Sequence, residues 1–223
     1  MTDFSTFDLD GRSVRFHRSQ ASDPKAPGVV ILHAWWGLNA DVVGYADRLS
    51  SAGFHVIAPD LFDGAVASTV EEAERLVRRG DEAAEGISLA AIDHLAEQVD
   101  PGAGLGVLGF SFGAAYAIYT PSERPRLTAS VAYYGTYTGP FLSRSTAPFL
   151  GHFAESDPYE PADGVRELED GLRAAGRETT IHVYPGTGHW FAEPSQPAYR
   201  PEAADLAFER TVAFLGRHLR RGG

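Results

Sequence analysis

Ser111 stands in the run Gly109-Phe110-Ser111-Phe112-Gly113, and His189 lies between Gly188 and Trp190. Between them, Glu155, Asp157 and Glu160 follow an apolar run that ends at Ala154. A serine, a carboxylate and a histidine are the side chains that nucleophilic acyl transfer needs. A serine hydroxyl is a poor nucleophile near neutral pH, so a histidine must take its proton as the acyl bond forms and later return it to the leaving group. The carboxylate fixes the histidine tautomer and stabilises its charged form. Asp157 is the preferred acid, because the Asp157-Pro158 step and a short side chain suit a fixed loop position. Glu155 ranks second and Glu160 third. Each group has a plain alternative: an idle serine in a glycine-rich turn, a surface carboxylate, a packed histidine. The glycine spacing around Ser111 decides little by itself, because with 24 glycines in the chain it arises by chance in roughly one such sequence in six.

The surrounding elements carry more weight. Gly104 to Tyr119 reads as a short apolar strand, a sharp turn at Ser111 and a helix opened by small residues. Glycines two residues either side let the strand and helix backbones approach, and the helix N-terminus aims amides at a developing anion. Gly28 to Leu32 is a continuous apolar run of the kind that parallel sheets bury on both faces, and Phe54 to Ala58 reads as another buried strand. Ala129 to Tyr134, Pro148 to Phe153 and Thr179 to Tyr184 are further strands, and Ser13 to Arg18 alternates as a half-buried edge strand. Helical spacing covers Asn39 to Ala52, Val165 to Ala175 and Glu202 to Leu219, and also Val70 to Asp100 with breaks near Gly80 and Gly86. The alternation implies a single α/β domain over residues 1–223, with a mostly parallel twisted sheet of about seven or eight strands and helices on both faces. In such sheets function collects in the loops after the strands. Serine, acid and histidine each fall in a different one of those loops.

The negative charge built on a substrate carbonyl needs two donors. The backbone N–H of Phe112, directly after the nucleophile, is one; a backbone N–H of the His33-Ala34-Trp35-Trp36-Gly37 loop, at Trp35, is the other. Trp36, Tyr134 and Trp190, with Tyr159, are candidates to line the substrate pocket. The remaining histidines show no HExxH spacing, and the chain has no cysteine, so no metal site is expected and disulfides are excluded. The glycines at Gly104 precede and lie within a strand, which is wrong for cradling a phosphate, and no cofactor is expected. A formal net charge of −11 argues against nucleic acid or an anionic membrane as partner. The basic stretch Arg217 to Arg221 reads as a solvated helix end that complements the helix dipole. No apolar stretch reaches the roughly 20 residues of a membrane span. Met1 to Arg12 lacks the pattern of a secretory signal, so a cytoplasmic location is the default.

The segments GVVILHAWWGLN, APDLF, LGFSFGAA, FAESDPYEP and YPGTGHWFAEP, with a last helix after PAYRPEAA, occur in one order along the chain. On these motifs the chain resembles the dienelactone hydrolase family of α/β-hydrolases through nearly its whole length. The resemblance implies an α/β-hydrolase fold without a separate cap, a triad of Ser111, Asp157 and His189, and oxyanion amides at Trp35 and Phe112. Two departures stand out. The founding enzymes of that family carry a cysteine where this chain has Ser111, and a glutamate in the oxyanion loop where it has Ala34. A serine has no resting thiolate to manage, so the two losses go together. The family's dienelactone enzymes hold the substrate carboxylate with arginines, whereas Glu193 lies four residues past His189, near where one is sought. Arg78, Arg144 and Arg200 are the other candidates.

The reading is a serine hydrolase of a small carboxylic ester or lactone, with an open site and a monomeric state favoured. The alternative is a small-molecule binding or sensing protein that keeps the fold without turnover.

Overall fold

Continuous apolar runs become strands buried on both faces, and the amphipathic runs between them become the helices that cover those faces. The computed structural model describes residues 4–220. Its strands are β1 (Ser5–Leu9), β2 (Arg12–Ser19), β3 (Gly28–Leu32), β4 (His55–Pro59), β5 (Leu105–Phe110), β6 (Leu127–Tyr133), β7 (Phe149–Ser156) and β8 (Thr179–Gly188). Its α-helices are α1 (Ala40–Ser51), α2 (Val70–Gln98), α3 (Phe112–Tyr119), α4 (Ala162–Ala174) and α5 (Pro201–Leu219). One eight-stranded sheet has the order β1-β2-β4-β3-β5-β6-β7-β8. β1 and β2 pair antiparallel, β2 joins β4 antiparallel, and every other pairing is parallel.

Strand alternation splits the core between two faces. Val29 and Ile31 of β3, with Leu108 and Phe110 of β5, pack under α1 and α5. Val30 and Leu32, with Leu105 and Val107, pack under α2. α3 and α4 close the same side further along, through Ala114, Ile118, Val165, Leu168 and Leu172. β3 lies between β4 and β5, so the chain leaves β3 in one direction and returns on its other side. That reversal opens a crevice at the carboxyl ends of β3 and β5, where ligands bind in open α/β sheets.

Three elements differ from the sequence reading. The edge strand is β1, and Ser13 to Arg18 lies inside β2, paired on both sides. α2 runs unbroken through Gly80 and Gly86. Thr69 caps its start by accepting from Glu72 N–H, and Ile87, Ala91, Ile92 and Leu95 bury its inner face; this packing outweighs the roughly 1 kcal/mol that each interior glycine costs. β7 extends to Ser156 and β8 to Gly188, which carries backbone pairing into the acid loop and the turn before His189. Residues 1–3, and Arg221 of the basic helix end, lie outside the described residues.

The two glycines of α2 separate propensity from packing. A Cβ at Gly86 would meet nothing within 4 Å, whereas one at Gly80 would sit 2.7 Å from the Phe62 ring. Gly86→Ala is therefore expected to raise unfolding free energy by about 1 kcal/mol, and Gly80→Ala to lower it, in urea titrations.

Candidate active site

Ser111 joins β5 to α3 at φ 47°, ψ −111°, a conformation that a residue with a side chain adopts only under constraint. Its N–H donates to the Tyr133 carbonyl (2.9 Å), and its carbonyl accepts from Ala114 N–H (2.8 Å). The flanking glycines are obligatory. A Cβ at Gly109 would lie 2.2 Å from the Gly113 carbonyl oxygen, and one at Gly113 would lie 2.3 Å from the Leu32 carbonyl oxygen. A third glycine, Gly135, admits the serine turn against the next strand end, where a Cβ would lie 2.7 Å from the Ser111 carbonyl oxygen.

The loops after β7 and β8 bring the acid and the histidine to this turn. Nδ1–H of His189 donates to Asp157 Oδ2 at 2.6 Å. That leaves Nε2 to accept from the Ser111 hydroxyl at 2.8 Å. The second Asp157 oxygen accepts from the backbone N–H groups of Tyr159 (2.9 Å) and Glu160 (3.1 Å). Both side chains of the pair are buried, with relative exposures of 3% and 2%, so water competes poorly for the contact. Glu155 points elsewhere and accepts from Gly186 N–H at 2.9 Å. Glu160 accepts from the Thr136 hydroxyl at 2.6 Å. Burial pushes its carboxyl up to about 7, with the Thr136 hydrogen bonds opposing and the Asp157 charge adding to the rise.

The loop after β3 is pinned by a histidine that no sequence motif singles out. His33 is fully buried; its Nδ1–H donates to the Ala34 carbonyl (2.7 Å) and its Nε2 accepts from Leu61 N–H (3.0 Å). Burial, the leading cause, lowers its pKa and keeps the ring neutral, as that bonding pattern requires. Gly37, at φ +90°, turns the chain where a Cβ would strike the Ala65 carbonyl at 2.3 Å. Trp35 and Phe112 thereby flank Ser111 in the wall of one cleft of about 560 Å³.

Of the aromatic residues expected in that wall, Tyr159 lines it, and the other three are placed differently. Trp36 is buried behind Trp35, with ring centroids 5.6 Å apart. Trp190, at φ 65°, stands against Trp35, Trp36 and the His189 ring and does not line the cleft. Tyr134 is completely buried, packs on His189 at 5.0 Å and donates to Glu193 Oε1 at 3.0 Å. The wall is instead made by Trp35, Tyr116, Tyr119, Tyr137 and Tyr159, with Glu85 and Glu160. Tyr116, Tyr119 and Glu85 escape a sequence reading because they lie on helices whose distance from Ser111 is set by packing. None of the arginines considered lines the cleft: Arg78 pairs with Glu74, Arg144 pairs with Glu123, and Arg200 donates to the Tyr199 carbonyl. Glu193 is buried beneath the site, its Oε2 without a hydrogen-bond partner among the described residues. Burial pushes its carboxyl up to about 8, against the Tyr134 hydrogen bond and aided by Asp41.

This sheet, with the serine turn after β5 and the histidine after β8, is an α/β-hydrolase fold. The sequence profile of the dienelactone hydrolase family matches residues 14–219, and the chain belongs to that family. Protein usf of Aquifex pyrophilus is 30% identical over 231 residues, spanning 96% of this chain and 97% of that protein. A putative carboxymethylenebutenolidase of Yersinia pestis is 28% identical over 212 residues, spanning 86% of this chain and 78% of its own. Among solved structures, a putative dienelactone hydrolase from Klebsiella pneumoniae superposes with a TM-score of 0.84 at 23% identity, covering 97% of this chain and 98% of that one.

Two measurements probe these contacts. Asp157→Asn is expected to cut kcat for a short nitrophenyl ester by roughly 10³ to 10⁴, whereas Glu155→Gln changes it by less than about tenfold; the reverse order would reassign the acid. Glu193 titrates higher in the fold than in the unfolded chain, so the folded protein holds a proton that the unfolded chain releases between about pH 5 and 8. The stability this proton contributes is present at low pH and is lost as pH rises through about 8. The Tm of Glu193→Gln, which cannot ionise, is expected to gain on wild type from pH 5 to pH 8 in thermal melts.

Proposed function

We propose that the protein is a serine hydrolase of small carboxylic esters or lactones that works through an acyl-enzyme on Ser111. The observation that carries this is the chain of hydrogen bonds from Ser111 Oγ to His189 to Asp157, at 2.8 and 2.6 Å. Ser111 Oγ attacks the substrate carbonyl carbon as its proton passes to His189 Nε2. Asp157 holds the imidazole in the tautomer that can accept this proton and stabilises the imidazolium. The carbonyl oxygen, now negative, is received by the backbone N–H groups of Phe112 and Trp35, at the start of α3 where the helix dipole favours an anion. When the tetrahedral species collapses, the bond from carbon to the alkoxy oxygen breaks, and His189 delivers its proton to that oxygen. Water then attacks the acyl carbon with His189 again as base, the acid departs, and the serine hydroxyl is restored.

Membership of the dienelactone hydrolase family supports hydrolysis, and the name of the Yersinia pestis relative brings butenolides, which are cyclic esters, into the range. A serine nucleophile fits a chain without cysteine. The cleft opens to solvent between α2, α3 and the loops after β6 and β7, which favours compact substrates over long acyl chains.

Labelling with a fluorophosphonate is the direct test. Wild type is expected to gain one adduct, mapped by mass spectrometry to Ser111, and to cleave a short nitrophenyl ester at least about 10⁴ times faster than Ser111→Ala. Folded wild type that neither labels nor outpaces Ser111→Ala would refute the reading.

A further inference from the structure

The cleft in front of Ser111 has an unusual balance of charge. Two carboxylates line it, Glu85 from α2 and Glu160 from the loop after β7, and no lysine or arginine does among the described residues. Glu160 is held in place by Thr136 (2.6 Å), and Glu85 accepts from the Tyr119 hydroxyl at 3.0 Å. The rings of Tyr116, Tyr119, Tyr137 and Tyr159 line the same cleft. Tyr137 and Tyr159 remain 46% and 47% exposed, which is a large aromatic surface to leave in water beside a nucleophile. Aromatic walls with nearby carboxylates are the chemistry that receives an ammonium group: the rings attract it through their quadrupoles, and the carboxylates neutralise it without a large desolvation cost. A carboxylate on the substrate would meet like charges and find no cationic partner in the wall.

We infer that this cleft selects esters that carry a cationic ammonium group, with Glu85 and Glu160 as counter-ions and the four tyrosines as the surface on which the cation rests. The inference rests on the serine hydrolase reading, and it identifies the substrate class of that same site. Glu160 is largely ionised at pH 8, one unit above the value of about 7 to which burial raises it. The preference therefore belongs to mildly alkaline conditions, and salt weakens it by screening.

The test compares esters matched in shape. Acetylthiocholine is set against its neutral isostere 3,3-dimethylbutyl thioacetate, and a nitrophenyl ester with a trimethylammonium group at the acyl end is set against its tert-butyl and carboxylate counterparts. At pH 8 and low salt, kcat/KM is expected to favour the cationic member of at least one set by about tenfold or more, with the carboxylate slowest. The ratio of cationic to neutral turnover is expected to fall towards one in the double variant Glu85→Gln, Glu160→Gln, and to shrink in 0.5 M salt. Equal rates for cation and isostere in both sets, or a ratio unchanged in the double variant, would overturn the inference while leaving the hydrolase reading intact. Failure of every ester, cationic or neutral, to react faster with wild type than with Ser111→Ala would instead sink the hydrolase reading. In that event calorimetric binding of phenyltrimethylammonium decides the charge preference: binding weakened in the double variant upholds it, and no binding to wild type refutes it.

Discussion

The site depends on one close approach of backbones, that of Gly113 at the start of α3 to the carbonyl of Leu32 at the end of β3. A Cβ at Gly113 would fall 2.3 Å from that oxygen, so only glycine lets the Ser111 turn and the loop after β3 share the reversal point of the sheet. From this contact the rest follows. The Ser111 turn is drawn over the strand ends, its N–H is taken by Tyr133 of the next strand, and Trp35 and Phe112 line the same cleft as Ser111. A methyl group at position 113 would force the Ser111 turn away from the end of β3.

Among the described residues, three of the five non-glycine residues with positive φ lie at the candidate site. Ser111, Tyr134 and Trp190 all have positive φ without being glycine, and each conformation of this kind costs about 1–3 kcal/mol. All three are next to, or part of, the contact between serine and histidine. The fold holds them through the sheet beneath: β3 and β5, buried throughout, and β6, buried but for Thr128, supply the apolar packing, and hydrogen bonds from Ser111 N–H to Tyr133 and from Tyr134 N–H to His152 fix the turns. The same support keeps Tyr134 against the His189 ring and Glu193 beneath it, so the imidazole has a packed face as well as a carboxylate to orient it.

Much of the fold was legible because its signals are local. The unbroken apolar runs at Val29 to Leu32 and Val107 to Leu108, the glycines around Ser111, and helical spacing such as Ile87, Ile92 and Leu95 all report what the chain does within one element. The misreadings arose where a neighbour decided the outcome. α2 continues through Gly80 because its inner face is buried on the sheet, and a Cβ there would lie 2.7 Å from the Phe62 ring, which would have to shift. β1 was missed because a short half-exposed strand is held by pairing with β2 and has weak periodicity of its own.

The sequence alone determined the types and order of the reacting groups, the strand-end loops that carry them and the family to which the chain belongs, since these are properties of short segments and their succession. Tertiary structure decided which partners meet. It set Asp157 against His189 and sent Glu155 to Gly186. It buried Trp36 and Tyr134 behind the wall they were expected to form, and brought Glu85, Tyr116 and Tyr119 from helices to face Ser111. The reason is physical: a loop sequence specifies conformations over a few residues, whereas the distance between side chains on separate loops and helices is fixed only when the sheet and its covering layers pack.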